Sequence, residues 1–283
     1  MVPVTELGLT ARRRDELLAL LGDEPRLRAQ YPKVAEYFDV AAGLPQPAGT
    51  RAPAAFDFDL RFLHYMTGGA AVSANPYWDM VAPSVSTRAG RRVVDGAAAG
   101  AGAQLAYAQL ILQATYAYAI PSPRTLDWVC AFCDGRPVLE LGAGRGYWAA
   151  QLHRAGLAVE AFELEPPDRV ANVSFPRACG QADVWYALDP LERLRLDGRA
   201  ASVLLLCWPP GWGNTMASAS LDAFERAGGE RLVYVGEPRG GRTGDDAFFD
   251  ALAARWAPAS TDPDFVSWWN LRDRAQGWVR VRG

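Results

Sequence analysis

The sequence predicts an α/β fold: a doubly wound, mostly parallel sheet preceded by a region of helices. Three observations carry this. From Leu126 onward, short apolar runs alternate with segments of helical spacing, the pattern that builds a parallel sheet. The run Ser202-Val-Leu-Leu-Leu-Cys-Trp208 is apolar almost throughout, as a strand covered on both faces must be. The run Val138-Leu-Glu-Leu141 ends in Gly142, Gly144 and Gly146, where a strand can turn sharply into a helix. With 283 residues, 50% apolar and 22% charged, the chain has material for one large domain or two small ones. The change of texture divides an N-terminal helical region (1–124) from a sheet domain (125–283).

Thr10 stands where a cap belongs, ahead of a helix running to residue 21, and 31–38 gives a second helix. Residues 41–55, rich in Ala, Pro and Gly, read as a loop; 56–66 returns to helical spacing, and 83–90 is another break. From Gly96 to Pro123 no residue is charged. Gln104, Gln109 and Gln113 would be costly inside a bilayer, so 97–119 reads as a buried helix, stopped by Pro121 and Pro123. In the sheet domain, helices are expected at 126–133, 147–155, 221–227 and 247–256, and strands at 137–141, 158–162, 202–208 and 231–236. The end, 265–273 and 277–282, reads as two strands of an antiparallel edge hairpin.

Lys and Arg total 29 against 32 Asp and Glu, a net charge of −3. That balance lacks the basic footprint of a nucleic-acid binder. The first residues run straight into charge, without the apolar stretch of a signal peptide, so a cytoplasmic protein with no membrane span is expected. Cys130, Cys133, Cys179 and Cys207 are too scattered for a secreted disulfide framework. Cys130-x-x-Cys133 has no second pair at zinc spacing, and the chain holds only two histidines, His64 and His153. The pair reads as small core residues, with redox or metal chemistry as the alternative, and no metal is expected. The Arg12–Arg14 run reads as a solvated helix face.

The most informative stretch is Glu140-Leu-Gly142-Ala143-Gly144-Arg-Gly146-Tyr147-Trp148. A glycine turn lets backbone approach a ligand, and the helix it opens favours anionic groups. A dinucleotide fingerprint needs a third glycine at position 147, where this chain has Tyr147. The acidic residue followed by Gly-x-Gly-x-Gly resembles motif I of the class I S-adenosylmethionine-dependent methyltransferases. Glu163, 21 residues after Gly142, stands about where that family places the carboxylate that accepts both ribose hydroxyls, with Leu164 beside it and Glu165 as the alternative. The resemblance further implies Asp183 and Val184, after the third strand, against the adenine. It implies Cys207, Trp208 and Pro209, ending the fourth strand, beside the methyl donor. The resemblance covers residues 126–283 and implies seven strands, the last one reversed, with the N-terminal helices as a lid that shapes the acceptor pocket.

Amine methyltransferases acting on nucleobases carry Asn or Asp before Pro-Pro-aromatic; here Trp208 holds that place, which argues against a nucleobase acceptor. Trp208, with Trp212 and Tyr118 or Tyr186, is expected to ring the sulfonium by cation–π attraction, worth about 0.5–2 kcal/mol. Asn214 is a candidate for orienting a polar group of the substrate. His64 is a lid residue within conceivable reach of the pocket, while His153 reads as a surface histidine. The leading expectation is methyl transfer from S-adenosylmethionine to a small-molecule acceptor, as in bacterial secondary metabolism, with a second copy of the chain as the candidate protein partner. Two alternatives stand beside it: cyclisation of the cofactor's own aminobutyrate chain to azetidine-2-carboxylate with release of methylthioadenosine, and a non-catalytic cofactor-binding subunit.

Overall fold

Several helices in this chain begin where a short polar side chain or a proline satisfies the first turn. The computed structural model describes residues 7–43, 53–95, 102–177 and 180–281. In the N-terminal region, α1 (Ala11–Gly22) is capped by Thr10, α2 (Glu24–Gln30) by Asp23, and α5 (Pro76–Val81) by Asn75. Between them lie α3 (Pro32–Gly43) and α4 (Pro53–Met66). The expected loop at 41–55 is therefore helical at both ends, and its middle, 44–52, lies outside the described residues. The break at 83–90 holds a hairpin that the sequence reading missed: β1 (Val85–Arg88) pairs antiparallel with β2 (Arg91–Val94). The uncharged stretch forms α6 (Gly102–Thr115); residues 96–101 lie outside the described ones. Among the described residues no helix is long and apolar enough to cross a membrane.

The glutamines of α6 explain how an uncharged helix can carry polar groups inward. Gln104 donates to the Tyr37 hydroxyl (2.8 Å) and to Asp59 (2.6 Å), and Gln113 to the carbonyl of Tyr118 (3.1 Å). The expectation of a solvated arginine face on α1 fails at Arg13. Its guanidinium turns inward to His64 Nδ1 and to the carbonyls of His64 and Thr67, because the end of α4 leaves those carbonyls in need of donors.

In the C-terminal region α7 (Pro123–Cys133) is capped by Ser122, and then strands and helices alternate. They are β3 (Val138–Leu141), α8 (Tyr147–Arg154), β4 (Val159–Glu163), β5 (Asp189–Pro190), β6 (Val203–Cys207), α9 (Met216–Arg226), β7 (Arg231–Gly236) and α10 (Asp246–Arg255), followed by β8 (Trp256–Thr261), β9 (Val266–Trp268) and β10 (Arg274–Arg280). Seven strands form one sheet in the order β5-β4-β3-β6-β7-β10-β8. The pairs from β5 to β7 are parallel, and β10 runs antiparallel to both neighbours. Val203 to Leu206 are fully buried between the layers, each such side chain contributing about 1.5–3 kcal/mol.

Two expectations about this region are corrected. The terminal hairpin joins β8 to β10, not 265–273 to its successor; β9 leaves the large sheet and pairs in parallel with β2. The register gives the reason: β10 already has β7 and β8 on its two edges, so β9 must find its backbone partners elsewhere. The strand after which Asp183 was expected forms six residues past it, at Asp189–Pro190. Upstream, Arg145 takes the carbonyls of Pro176 and Asp183, so that segment is satisfied by a buried guanidinium instead of a ladder. One apolar cluster runs through both regions, from Leu17 and Phe62 through Tyr77 and Tyr116 to Val235 and Trp268.

Candidate functional site

β3 delivers Glu140 into the interior, 2% exposed. Leu139 and Leu141 pack on one side of the sheet with Leu204 and Leu206, so alternation turns Glu140 to the other. Its carboxyl accepts from the backbone of Ala149, while Oε2 has no partner. Burial pushes this carboxyl up to about 8, helped by the nearby Glu163. Gly142, Gly144 and Gly146 then carry the chain through the left-handed region (φ 71°, 58° and 71°) before α8 begins. A side chain there would cost about 1–2 kcal/mol in backbone strain alone. At the end of β4, Glu163 Oε2 accepts from Gly144 N (2.7 Å) and Oε1 from Leu164 N (2.9 Å). Desolvation raises the Glu163 carboxyl above its ordinary range. Glu165 is exposed, which leaves Glu163 as the carboxylate held against the glycine turn.

The glycine turn lies at the C-terminal ends of β3 and β4, the edge of a parallel sheet where ligands are held. With the sheet order, the reversed β10 and this acidic glycine turn after the first strand of the sheet domain, the architecture is decided. It is the mostly parallel, seven-stranded sheet with a reversed last strand that the resemblance implied. Neither a protein-family model nor a curated protein matches the sequence. Among solved structures, the chain is similar to magnesium protoporphyrin IX methyltransferase from Synechocystis, with 16% identity over 56% of this chain and 79% of that one and a TM-score of 0.35. It is also similar to an O-methyltransferase of neocarzinostatin biosynthesis, with 12% identity over 99% of both chains and a TM-score of 0.36. A third is mitomycin 7-O-methyltransferase, with 16% identity, 96% and 100% coverage and a TM-score of 0.33. These overlaps are loose, and the description of the fold rests on the sheet order alone.

The turn after β6, a parallel neighbour of β3, lies on the same edge of the sheet. Trp208 sits there at φ 54°, a conformation a bulky residue adopts only where its surroundings enforce it. Its indole N–H donates to Asp273 Oδ2 (3.0 Å), and its ring stacks on Tyr118 (5.3 Å between centroids, 15° between planes). Phe175 closes the group edge-on to Tyr118 at 5.8 Å. Asp273, 2% exposed, also accepts from the Ser267 hydroxyl; burial raises its carboxyl to about 6. The sequence reading found Tyr118 and Trp208 but missed Asp273 and Phe175, which only the fold brings to them.

Other predicted residues are placed differently. Tyr147 and Trp148 are core: Tyr147 bonds Asn75 and the backbone of Tyr77, and Trp148 donates to the carbonyl of Ala119. Both rings are buried in the apolar cluster shared with the N-terminal helices. Ala143 and Val184 pack together with Tyr186. Asp183 is a partner of Arg145 through its carbonyl. Leu164 is 70% exposed and Trp212 82% exposed, the latter on a turn with φ 50°. Asn214 Oδ1 accepts from Met216 N (2.8 Å) and so starts α9. Cys207 and Pro209 flank Trp208, and burial pushes the Cys207 thiol up. Cys133 is buried in α7, its thiol pushed up to about 12, while Cys179 lies outside the described residues. His64 is lowered by burial and by Arg13, and His153 is exposed beside Tyr186. Among the described residues no metal-binding group gathers.

Arg145, inside the glycine turn, is the structural residue that sequence reasoning passed over. It is 1% exposed and ties the turn to Ala114 O at the end of α6 and to the 176–183 segment. Glycine positions report what lies above the turn. A Cβ on Gly144 would meet the Phe175 ring at 2.6 Å, and one on Gly142 the Met216 methyl at 2.5 Å. Both neighbours are side chains able to swing, and both stand where a ligand on the turn would lie.

Proposed function

We propose that this chain binds S-adenosylmethionine on the β3–β4 edge and transfers its methyl group to a small-molecule acceptor held against Tyr118 and Trp208. The observation that carries this reading is the unpartnered Oε2 of Glu140, a buried carboxyl oxygen beside a left-handed glycine turn. A buried acceptor without a donor costs about 1–3 kcal/mol, and a ligand ammonium would satisfy it. Glu163 fits the same ligand. Oε2 accepts one backbone N–H, from Gly144, and keeps a lone pair for a ribose hydroxyl; Oε1 accepts Leu164 N and, at a longer 3.4 Å, Glu165 N, a contact that a second hydroxyl would displace. Phe175 and Met216 swing aside to admit the nucleoside. Bound there, S-adenosylmethionine supplies an electrophilic methyl carbon on a positive sulfur. Tyr118 and Trp208 present aromatic faces to that side, and Asp273 holds the indole in place. Alignment of acceptor and methyl then supplies most of the rate.

The test has two parts. Calorimetry with S-adenosylhomocysteine should show binding that Glu163→Gln weakens roughly 10–100-fold, the loss of hydrogen bonds to a charged acceptor. Unchanged affinity moves the ribose contact off Glu163 and removes the basis of the motif. Incubation with S-adenosylmethionine and a metabolite extract should yield S-adenosylhomocysteine by mass spectrometry. Methylthioadenosine formed from the cofactor alone would replace methyl transfer with cyclisation of the aminobutyrate chain.

A further inference from the structure

Several arginines of the sheet domain pair with carboxylates: Arg239, for one, with Asp246 and Asp250. Arg242, Arg272 and Arg274 do not. All three are exposed, and among the described residues none has an ion-pair partner. They are nevertheless rooted in one rigid cluster. Glu237, 4% exposed, accepts Arg272 N with Oε1 (2.9 Å) and Arg242 N with Oε2 (2.8 Å). This buried carboxylate therefore fixes the backbones of two arginines side by side and leaves both guanidiniums free. Arg274 stands opposite Gly236 in the β7–β10 register, one residue from Glu237.

The cluster borders the aromatic wall. Asp273, between Arg272 and Arg274, holds the Trp208 indole. Gly211 N donates to Arg242 O (3.1 Å) and Pro210 bridges Thr243, so the turn after Trp208 is stitched to the Arg242 loop. The juxtaposition is three exposed arginines without ion-pair partners whose backbones border the segments that carry the stacked Tyr–Trp pair. Guanidinium is a planar fork matched to a carboxylate, and its charge is not lost at any working pH. We infer that Arg242 and Arg272, with Arg274 beside them, bind the carboxylate of the acceptor while its ring packs on Trp208, so that the acceptor is an aromatic carboxylic acid. The word acceptor rests on the methyltransferase reading above; the anion site itself does not.

The experiment uses the full chain, saturated with S-adenosylhomocysteine, in about 0.15 M salt, where exposed charges are screened beyond ~8 Å. Calorimetric titrations with 2-naphthoate and with its neutral isostere 2-naphthamide should differ at least tenfold in favour of the acid. The double variant Arg242→Gln/Arg272→Gln should bring 2-naphthoate down to the amide's affinity, with thermal stability and S-adenosylhomocysteine affinity retained. Equal binding of acid and amide, binding of neither, or a preference that survives in the double variant overturns the inference. Loss of S-adenosylhomocysteine affinity in the double variant also overturns it, placing the guanidiniums on the cofactor's own carboxylate. If wild type fails to bind S-adenosylhomocysteine, the cofactor reading fails by itself, and the same acid–amide comparison on the free protein still decides the anion site.

Discussion

Glu140 makes the stability of this protein depend on pH in an uncommon direction. Burial raises its folded-state value to about 8 from the ordinary 4.5, so between these limits the folded chain holds a proton that the unfolded chain has released. The group's contribution is complete below about 4.5 and is lost as pH rises through 8. Glu140→Gln, which stays neutral, should raise the melting temperature more at pH 8.5 than at pH 5; a gain independent of pH would refute the buried-acid assignment. The same carboxyl predicts a proton signal on binding. An ammonium brought against Oε2 should expel the proton, so S-adenosylhomocysteine binding near pH 7 should release close to one proton, read from titrations in buffers of different ionisation enthalpy. In Glu140→Gln that release should vanish. Phe175 adds a third expectation at this scale: because its ring covers Gly144, Phe175→Ala should bind S-adenosylhomocysteine several-fold tighter. Weaker binding would make Phe175 a wall of the site and not its cover.

At the scale of elements, α9, α10 and β8 meet on one side chain. Glu225, 7% exposed, accepts from Trp256 Nε1 (2.7 Å) and Arg255 Nε (2.9 Å), fixing the point where α10 turns directly into β8. Glu225→Ala strands a buried indole N–H and should cost about 2–4 kcal/mol in denaturant unfolding; Glu225→Gln, which keeps one acceptor, should cost less. This junction also shows where the sequence was legible. β3, β6, β7, α7 and α8 stand within a few residues of their expected places, because continuous apolar runs, caps and glycines act locally. Trp256–Thr261 was not read as a strand, since its pattern makes sense only beside β10. β9 was read as a strand but given the wrong partner, because pairing is decided by which edges remain open. The site follows the same rule. Glu140, the glycines and Glu163 are local to one strand–turn–strand unit, whereas Asp273 reaches Trp208 across 65 residues and Phe175 reaches Tyr118 from a loop far along the chain.

On the scale of the whole molecule, the helical region and the sheet domain share backbone as well as core. β9 lies after nearly all of the large sheet in sequence, yet its partner is β2 from the helical region. Trp268, on β9, is fully buried and donates to the Tyr77 hydroxyl, which lies 191 residues earlier (3.0 Å). Tyr77 in turn stacks on Tyr116, and Tyr147 of α8 completes the cluster. Arg91 reaches the carbonyls of Leu271 and Asp273, so the residue that holds Trp208 is itself braced by the helical region. A fragment of residues 125–283 would expose the β9 edge and the Trp148 and Trp268 faces at once. Produced alone, it should show no cooperative thermal transition, while the full chain should unfold in a single one by calorimetry and near-UV circular dichroism. Two resolved transitions in the full chain, or a cooperatively folded fragment, would mean that the helical region rides on a finished sheet domain. A single transition would make the aromatic wall and the glycine turn parts of one cooperative unit, in which loosening the helical region also loosens the β3–β4 edge.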